Sequence, residues 1–197
     1  MAESNENLLE NIYDKWNVDL EKEDAGRVWK ECLQITKNVT TNENLRLIQY
    51  KLMTRVYYSR DKIHKFDETS SDKCLKCHTD KDSLIHAFWY CKEIRPVWAK
   101  LEQWMSHVCN QILQLTPEIC LFQNIQNIRY PLGWQIVYSS LVLKKVILQN
   151  WKDKKPPSFE KWKGLMKYYL NIERTMSEDS NKQKQFDNVW KNIFEAL

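Results

Sequence analysis

Three cysteines and one histidine, Cys74, Cys77, His86 and Cys91, lie within eighteen residues in the spacing C-x2-C-x8-H-x4-C. Zinc prefers thiolate and imidazole ligands at the corners of a tetrahedron. A CxxC pair closes a tight turn that directs two thiolates to one point, and a His-x4-Cys pair on or near a helix can supply the other two ligands. The spacing predicts a closed, structural Zn²⁺ site with four protein ligands.

Three other interpretations of these residues stay open at this stage. The CxxC pair can be simply reduced, with an unrelated histidine and cysteine in the core nearby. His78 follows Cys77 directly and can compete with His86 as a ligand, although its spacing to Cys91 is poor. A redox CxxC is less favoured, since no βαβ pattern surrounds it.

The remaining cysteines, Cys32, Cys109 and Cys120, fit apolar helical faces or loop edges. We expect them to be ordinary buried thiols.

Turn-forming residues are scarce, since the chain has only three glycines and five prolines in 197 residues. This scarcity favours helices over a many-stranded barrel or sandwich. We predict an all-α fold with one small CCHC zinc knuckle and at most a short hairpin at the metal site. Its segments are 1–65, with a basic-aromatic helix, 66–110, with the metal site and the next helix, and 111–197. We expect them to form one compact unit.

Local signals place several helices along the chain. Thr40 and Glu43 have the spacing of a capping box, which predicts a helix start. Pro96 indicates the first turn of another helix. We interpret residues 117–133 as irregular, and residues 134–151 as a long and mostly apolar helix that is the most buried of all.

Positive charge is concentrated in two blocks, although the net charge is only +4. Residues 44–65 carry six Lys/Arg against Asp61 alone, and residues 144–167 carry eight Lys against Asp153 and Glu160. Clustered positive charge attracts polyanions, and aromatic side chains beside cations suit unpaired bases. We predict binding of RNA or single-stranded DNA, with little sequence specificity, through Lys51, Arg55, Tyr57, Tyr58, Arg60, Lys62 and Lys76.

Each basic block can instead be a solvated helix face. Trp89 can stack on a base, but its place between two metal ligands favours the core. The chain shows no secretory signal and no stretch long and apolar enough for a membrane span. We therefore expect a cytoplasmic and nuclear protein that does not bind membranes, in a reducing environment where clustered cysteines favour metal over disulfides.

The segment from Leu84 to Trp98 resembles the zinc-binding region near the C-terminus of reverse transcriptases of LINE-1-type (non-LTR) retrotransposons. The family pattern has a histidine, then a tryptophan, then a cysteine, then a further tryptophan, which matches His86, Trp89, Cys91 and Trp98. A basic-aromatic helix upstream and a WK…PP…W segment downstream, at 151–162, are similar to the family as well. The resemblance covers about residues 12–175.

The resemblance implies a non-catalytic module that binds RNA or target DNA while the polymerase domain of the same element does the chemistry. The chain departs from the family where Ser59-Arg60 stands in place of Thr-Pro, and it has no Asp-Asp pair for a polymerase metal site. No Gly-rich phosphate loop or catalytic serine motif favours an enzyme. The alternative function is a zinc-stabilised protein–protein interaction module.

Overall fold

Helices make up most of the structure, a computed structural model that describes residues 2–21 and 29–197. This part of the chain contains no β-strand, as the all-α prediction requires, and one isolated antiparallel bridge joins Lys73 to Lys81. The helices are α1 (Ala2–Leu20), α2 (Trp29–Val39), α3 (Glu43–Met53), α4 (Arg60–His64), a π-helix (His86–Tyr90), α5 (Arg95–Val108), α6 (Pro117–Phe122), α7 (Leu132–Gln149), α8 (Phe159–Asp179) and α9 (Gln183–Glu195).

Helix α7 lies at the centre of the fold. It packs against α2, α3, α6, α8 and α9, and almost all of its side chains are buried. A helix that is apolar on every side needs neighbours on every side. The prediction of a long buried helix is confirmed, with both ends two residues earlier than expected.

The start of α3 differs from the capping-box prediction. Asn42 is the N-cap, and its side-chain oxygen accepts the amide of Leu45 at 3.2 Å. The Thr40 hydroxyl instead donates to the carboxylate of Glu173 on α8. A partner 133 residues away in the sequence decides the role of Thr40, which local spacing cannot reveal.

Residues 117–133, expected to be irregular, contain the short helix α6. Thr116 caps it by accepting the amide of Ile119 at 3.4 Å, and Pro117 occupies its first turn, where the missing N–H costs nothing. Gln123 ends the helix in the left-handed conformation, with φ of 56°.

One continuous cluster of buried apolar side chains runs from Trp16 to Ile193 and includes residues of all three predicted segments. Within the described residues, no helix combines the length and apolar character needed to cross a membrane. Pro96 lies in the first turn of α5, as predicted, and places this helix directly after Cys91.

Candidate metal centre and the adjoining groove

The CxxC pair lies on a tight turn that its own backbone closes. The amide of Cys74 donates to the carbonyl of Asp80 at 2.9 Å, and the amide of His78 donates to the carbonyl of Cys74 at 3.0 Å. His78 takes the left-handed conformation, with φ of 57°. The amide of Lys76 donates to the Cys74 sulfur at 3.4 Å. The turn thereby brings the sulfurs of Cys74 and Cys77 towards one point.

The other two candidate ligands come from a wide helical turn. His86–Tyr90 form a π-helix, in which hydrogen bonds join residues five apart, and the amide of Cys91 closes it by donating to the carbonyl of His86 at 2.9 Å. The hydroxyl of Ser83 accepts the amide of His86 at 3.2 Å. The wide turn places His86 and Cys91 on the same side of the chain. The sequence predicted a helical setting for this pair, but not the π-turn.

The four side chains meet at a point that can hold a metal ion. Their ligand atoms all lie within 4.8 Å of one another. The sulfurs of Cys74 and Cys91 are 3.8 Å apart, and the sulfur of Cys77 is 3.5 Å from Nε2 of His86. Tetrahedral zinc with bonds of about 2.3 Å to sulfur and about 2.0–2.1 Å to nitrogen gives edges of roughly 3.8 and 3.6 Å.

The choice between the two histidines is decided by position. His86 is buried within the cluster, whereas His78 is exposed and lies outside it. The predicted grouping of Cys74, Cys77, His86 and Cys91 is therefore present in the fold.

Burial and hydrogen bonding shift the pKa values of the three thiols in opposite directions. Burial raises the pKa of Cys74 to about 12 and also raises the pKa of Cys91. At Cys77 burial is outweighed by hydrogen bonds, first from the backbone of Asp80, which lower the pKa to about 6. Because thiolates are the ligands, binding of a cation must release protons from at least the two raised thiols.

All six cysteines are free. The 3.8 Å between the sulfurs of Cys74 and Cys91 is far longer than the roughly 2.05 Å of a disulfide. Cys32 and Cys120 are buried and Cys109 is half-buried, all outside the cluster, as predicted for ordinary thiols.

Trp89 belongs to the core beside the metal centre. It is buried, its ring lies 4.9 Å from that of Trp98, and the guanidinium of Arg95 lies 4.5 Å above it. The indole N–H of Trp98 donates to the carbonyl of Phe88 at 2.8 Å. These contacts fix the π-turn against α5, and they leave Trp89 inside rather than at the surface.

Of the predicted nucleic-acid contacts on or near α3, Lys51 is half-buried and Arg55 is engaged within the protein. Arg55 forms an ion pair of 2.6 Å with Asp19, and its guanidinium lies 4.2 Å above the ring of Trp16. Both partners are on α1. Arg55 thus attaches α1 to the end of α3, a role that its position in a basic block does not reveal.

The next four predicted residues lie beside the metal centre. Tyr57 is half-buried between the rings of Phe88 and Trp151, and burial raises its pKa to about 12. Tyr58 is half-exposed, with the ammonium of Lys62 at 4.4 Å from its ring centre. Arg60 holds the 66–73 loop through its Nε, which donates to the carbonyl of Ser71 at 2.9 Å.

Lys76 reaches from the CxxC turn to the end of α7. Its ammonium donates to the carbonyls of Asn150, Trp151 and Asp153 at 2.9, 3.4 and 3.1 Å. Carbonyls at a helix C-terminus lack partners and carry partial negative charge, so a cation there is stabilising. Lys76 therefore joins the metal turn to the 150–153 loop.

Lys144 does not lie on a solvated helix face. For this residue, the interpretation of the 144–167 block as a solvated face is wrong. It is fully buried on α7, where its ammonium donates to the side-chain oxygen of Gln49 and to the carbonyl of Cys120 at 2.9 Å. Burial lowers its pKa to about 8, against the opposing influence of Cys32 and Cys120. The exposed lysines of the block lie further on, in the 152–155 loop and on α8.

A groove of about 600 Å³ opens between the 56–63 segment and the 150–152 loop, and we call it the metal-side groove. Its exposed lining includes Tyr58 and Lys152, and its buried lining includes Cys74, Cys91 and Asp82. The carboxylate of Asp82 accepts the amide of Arg60 at 3.0 Å. The indole N–H of Trp151 donates to the carbonyl of Tyr58 at 3.0 Å, which joins the two walls.

No protein-family model matches the chain.

Proposed function

We propose that this chain is a non-catalytic module that binds RNA or single-stranded DNA, held together beside its binding groove by a structural zinc. The observation that carries the proposal is the metal-side groove itself, where an aromatic wall and cationic side chains adjoin the four-ligand cluster.

Zinc is the ion that this ligand set favours. Three sulfurs and one imidazole nitrogen are soft or borderline donors, which select zinc over magnesium or calcium. Two edges of the cluster, 3.8 Å from Cys74 to Cys91 and 3.5 Å from Cys77 to His86, fit tetrahedral zinc. Four protein ligands leave no open position for a substrate, so the proposed role is structural, in a knuckle formed by the CxxC turn and the π-turn.

The groove suits nucleic acid because some of the cations and aromatic rings in and beside it are exposed to solvent. Lys152 is exposed and Tyr58 is half-exposed. Lys62 lies beside the groove lining, where its ammonium contacts the Tyr58 ring and donates to the carbonyl of Arg55 at 3.3 Å, which leaves two of its three protons for phosphates. Single-strand sites combine cations for phosphates with aromatic rings on which bases stack, at roughly 1–3 kcal/mol per base. Within the described residues, Arg60 uses only its Nε and its backbone amide, so its two terminal nitrogens can reach a phosphate.

The contacts are therefore proposed to centre on Tyr58, Arg60, Lys62 and Lys152. Lys51 stays a predicted phosphate contact at the edge of α3. The proposal gives Arg55, Tyr57 and Lys76 a supporting role, because their polar or aromatic groups already bind neighbours in the protein.

Kinship with the C-terminal region of LINE-1-type reverse transcriptases is part of the proposal. It rests on the histidine, tryptophan and cysteine spacing of 86–98 and on the grouping of His86 with the three cysteines. The corresponding partners are the RNA of such an element, its target DNA and its polymerase domain. A ribonucleoprotein of this kind would occur in both cytoplasm and nucleus.

A protein–protein interaction module is the second candidate. Leu47 and Tyr50 on α3 are each about half exposed, one turn apart, and form a small apolar surface. Docking through such a surface depends on apolar contacts and varies little with salt, whereas binding to phosphates weakens steeply as salt rises.

A titration of labelled single-stranded RNA, followed by fluorescence anisotropy at two salt concentrations, tests the proposal. We expect binding whose affinity falls steeply with salt, and a further loss in the double variant Lys62→Glu/Lys152→Glu. Lys184→Glu/Lys191→Glu on α9 is the matched control, since both lysines are exposed and outside the groove. Equal losses in the two double variants, or no binding by the wild-type protein, would contradict the proposal.

A further inference from the structure

The metal-side groove is polarised along its depth. Of its lining residues, Lys152 is exposed and Arg60 is partly exposed, whereas Asp82, only 8% exposed, and the cysteines Cys74 and Cys91 are buried. Three thiolates and a neutral imidazole around a divalent cation add a net charge of −1 beside these buried residues. This distribution of charge favours a ligand whose anionic part lies at the exposed lysine and whose neutral, hydrogen-bond-donating part lies at the buried carboxylate.

A nucleotide has this polarity when its base points inwards and its phosphates remain at the surface. The half-exposed ring of Tyr58 lines this space and offers a face for stacking. The ring of Trp151, which packs on Tyr57 and Phe88, forms the adjoining wall. The groove volume of about 600 Å³ lies within the range of roughly 300–1,000 Å³ typical of small-ligand sites. The space is sufficient for one nucleotide.

Asp82 supplies the polar group that such a base would meet. One carboxylate oxygen accepts the amide of Arg60 at 3.0 Å, and a carboxylate offers about four lone-pair positions, so acceptor capacity remains. Guanine presents two parallel donors on its Watson–Crick edge, from N1 and N2, which match the two oxygens of a carboxylate. Adenine and cytosine present one amino group there, and uracil presents one N–H.

We propose that the metal-side groove binds one unpaired guanine of a single strand, with Asp82 accepting hydrogen bonds from its Watson–Crick edge. This inference rests on the proposed function and makes it more specific, since it gives a base preference to a module otherwise expected to bind with little specificity. Arg60 and Lys152 contact the flanking phosphates, and the metal centre forms the back of the base site.

The test uses short fluorescent oligouridine RNAs with a single central position occupied by guanosine, inosine, N1-methylguanosine, adenosine or uridine. Full-length, zinc-loaded protein is titrated at about 50 and 200 mM salt. A bidentate contact to a base edge discriminates between bases, so we expect guanosine to bind at least about fivefold tighter than uridine. Inosine lacks the N2 amino group and N1-methylguanosine lacks the N1–H, so both should lose most of this preference.

The protein variant Asp82→Asn tests the same contact from the other side. It keeps the shape and the acceptor for the Arg60 amide but replaces one oxygen by a donor, and we expect the five RNAs to bind it equally. Asp72→Asn, with the same charge change in the same loop and outside the groove lining, should retain the preference for guanosine.

Two negative results are distinguishable. Salt-dependent binding of all five RNAs with equal affinity by the wild-type protein would overturn the guanine site and leave the proposed function standing. Absence of binding to every RNA would overturn both. Because the modified bases change only the ligand, the test holds even if Asp82→Asn fails to fold.

Discussion

The ammonium of Lys76 lies 2.9 Å from the carbonyl oxygen of Asn150, 74 residues further along the chain. One residue of the CxxC turn thereby supplies a cation to the C-terminal end of the central helix α7. The metal centre and the core of the fold are joined at this point, and the groove opens beside it.

Replacing Lys76 by Met should loosen this junction without removing a metal ligand. Hydrogen bonds from a charged donor contribute roughly 1.5–3 kcal/mol, and partial exposure reduces this, so we expect a loss of about 1–2 kcal/mol in unfolding free energy. Chemical denaturation of the zinc-loaded protein measures it. Lys73→Met, an exposed lysine of the same turn, is the control. A stability equal to that of the control variant would show that the three carbonyl contacts contribute nothing.

The two histidines of the metal region should behave differently. His86→Asn removes a nitrogen ligand and should lower zinc affinity by more than about 100-fold. Loss of a residue that only hydrogen-bonds a metal ligand already lowers metal affinity by roughly 10–100-fold. His78→Asn should retain one equivalent of zinc, because its side chain is exposed and outside the cluster. Metal analysis and competition with a chromogenic chelator measure both. Full zinc binding by His86→Asn would rule out the proposed ligand set.

The burial of Lys144 should make the free energy of unfolding depend on pH in a specific way. Burial lowers its pKa from 10.5 to about 8 in the folded protein, so between these values the unfolded chain binds more protons. Its contribution to stability therefore rises as pH increases through 8 and is lost as pH falls below it. Each pH unit in this window is worth about 1.4 kcal/mol.

The measurement compares unfolding free energies of the wild-type protein and Lys144→Met at pH 7 and pH 9. We expect the difference between the two proteins to shift in favour of the wild type by roughly 1 kcal/mol over this interval. At pH 9 the thiols of Cys32 and Cys120 stay protonated in the folded protein, because burial raises their pKa values to about 12. Their titration in the unfolded chain is common to both proteins and cancels in the difference. Parallel pH profiles for both proteins would mean that Lys144 keeps an ordinary pKa.

The Arg55–Asp19 pair should hold α1 on the fold. Arg55→Met and Asp19→Asn are each expected to destabilise the protein, with a coupling between them of about 1 kcal/mol, because the pair is only one-fifth exposed and Arg55 also lies over Trp16. A double-mutant cycle in thermal unfolding measures the coupling. Simple additivity of the two losses would show that the two charges do not interact in solution.

Sequence reasoning was most effective where the determining signal is local. The apolar run of α7, the proline at the start of α5 and the four-ligand spacing all lie within one short stretch each, and all three appear in the structure. The sequence interpretation failed where the decisive partner is distant. Thr40 binds Glu173 rather than capping α3, and Lys144 is buried against Gln49 rather than solvated.

The metal-side groove was unpredictable for the same reason. In the sequence, Tyr58 and Arg60 belong to one basic-aromatic cluster and Lys152 belongs to a separate basic block, whereas in the fold all three line the groove. The two segments are joined by the hydrogen bond from the Trp151 indole to the carbonyl of Tyr58, and these two residues are 93 positions apart in the sequence. Asp82 had no signal of its own, because an acidic residue in a polar loop usually faces solvent.

The π-turn of His86–Tyr90 limits how this region of the chain can change over evolution. An exposed side chain of this turn such as Tyr90 can be exchanged, but the number of residues between His86 and Cys91 cannot, since one residue more or less turns even an α-helix by about 100°. An insertion or deletion of a single codon there would turn the Cys91 sulfur away from its three companions and dismantle the site, whereas the loop at 66–73 can vary in length.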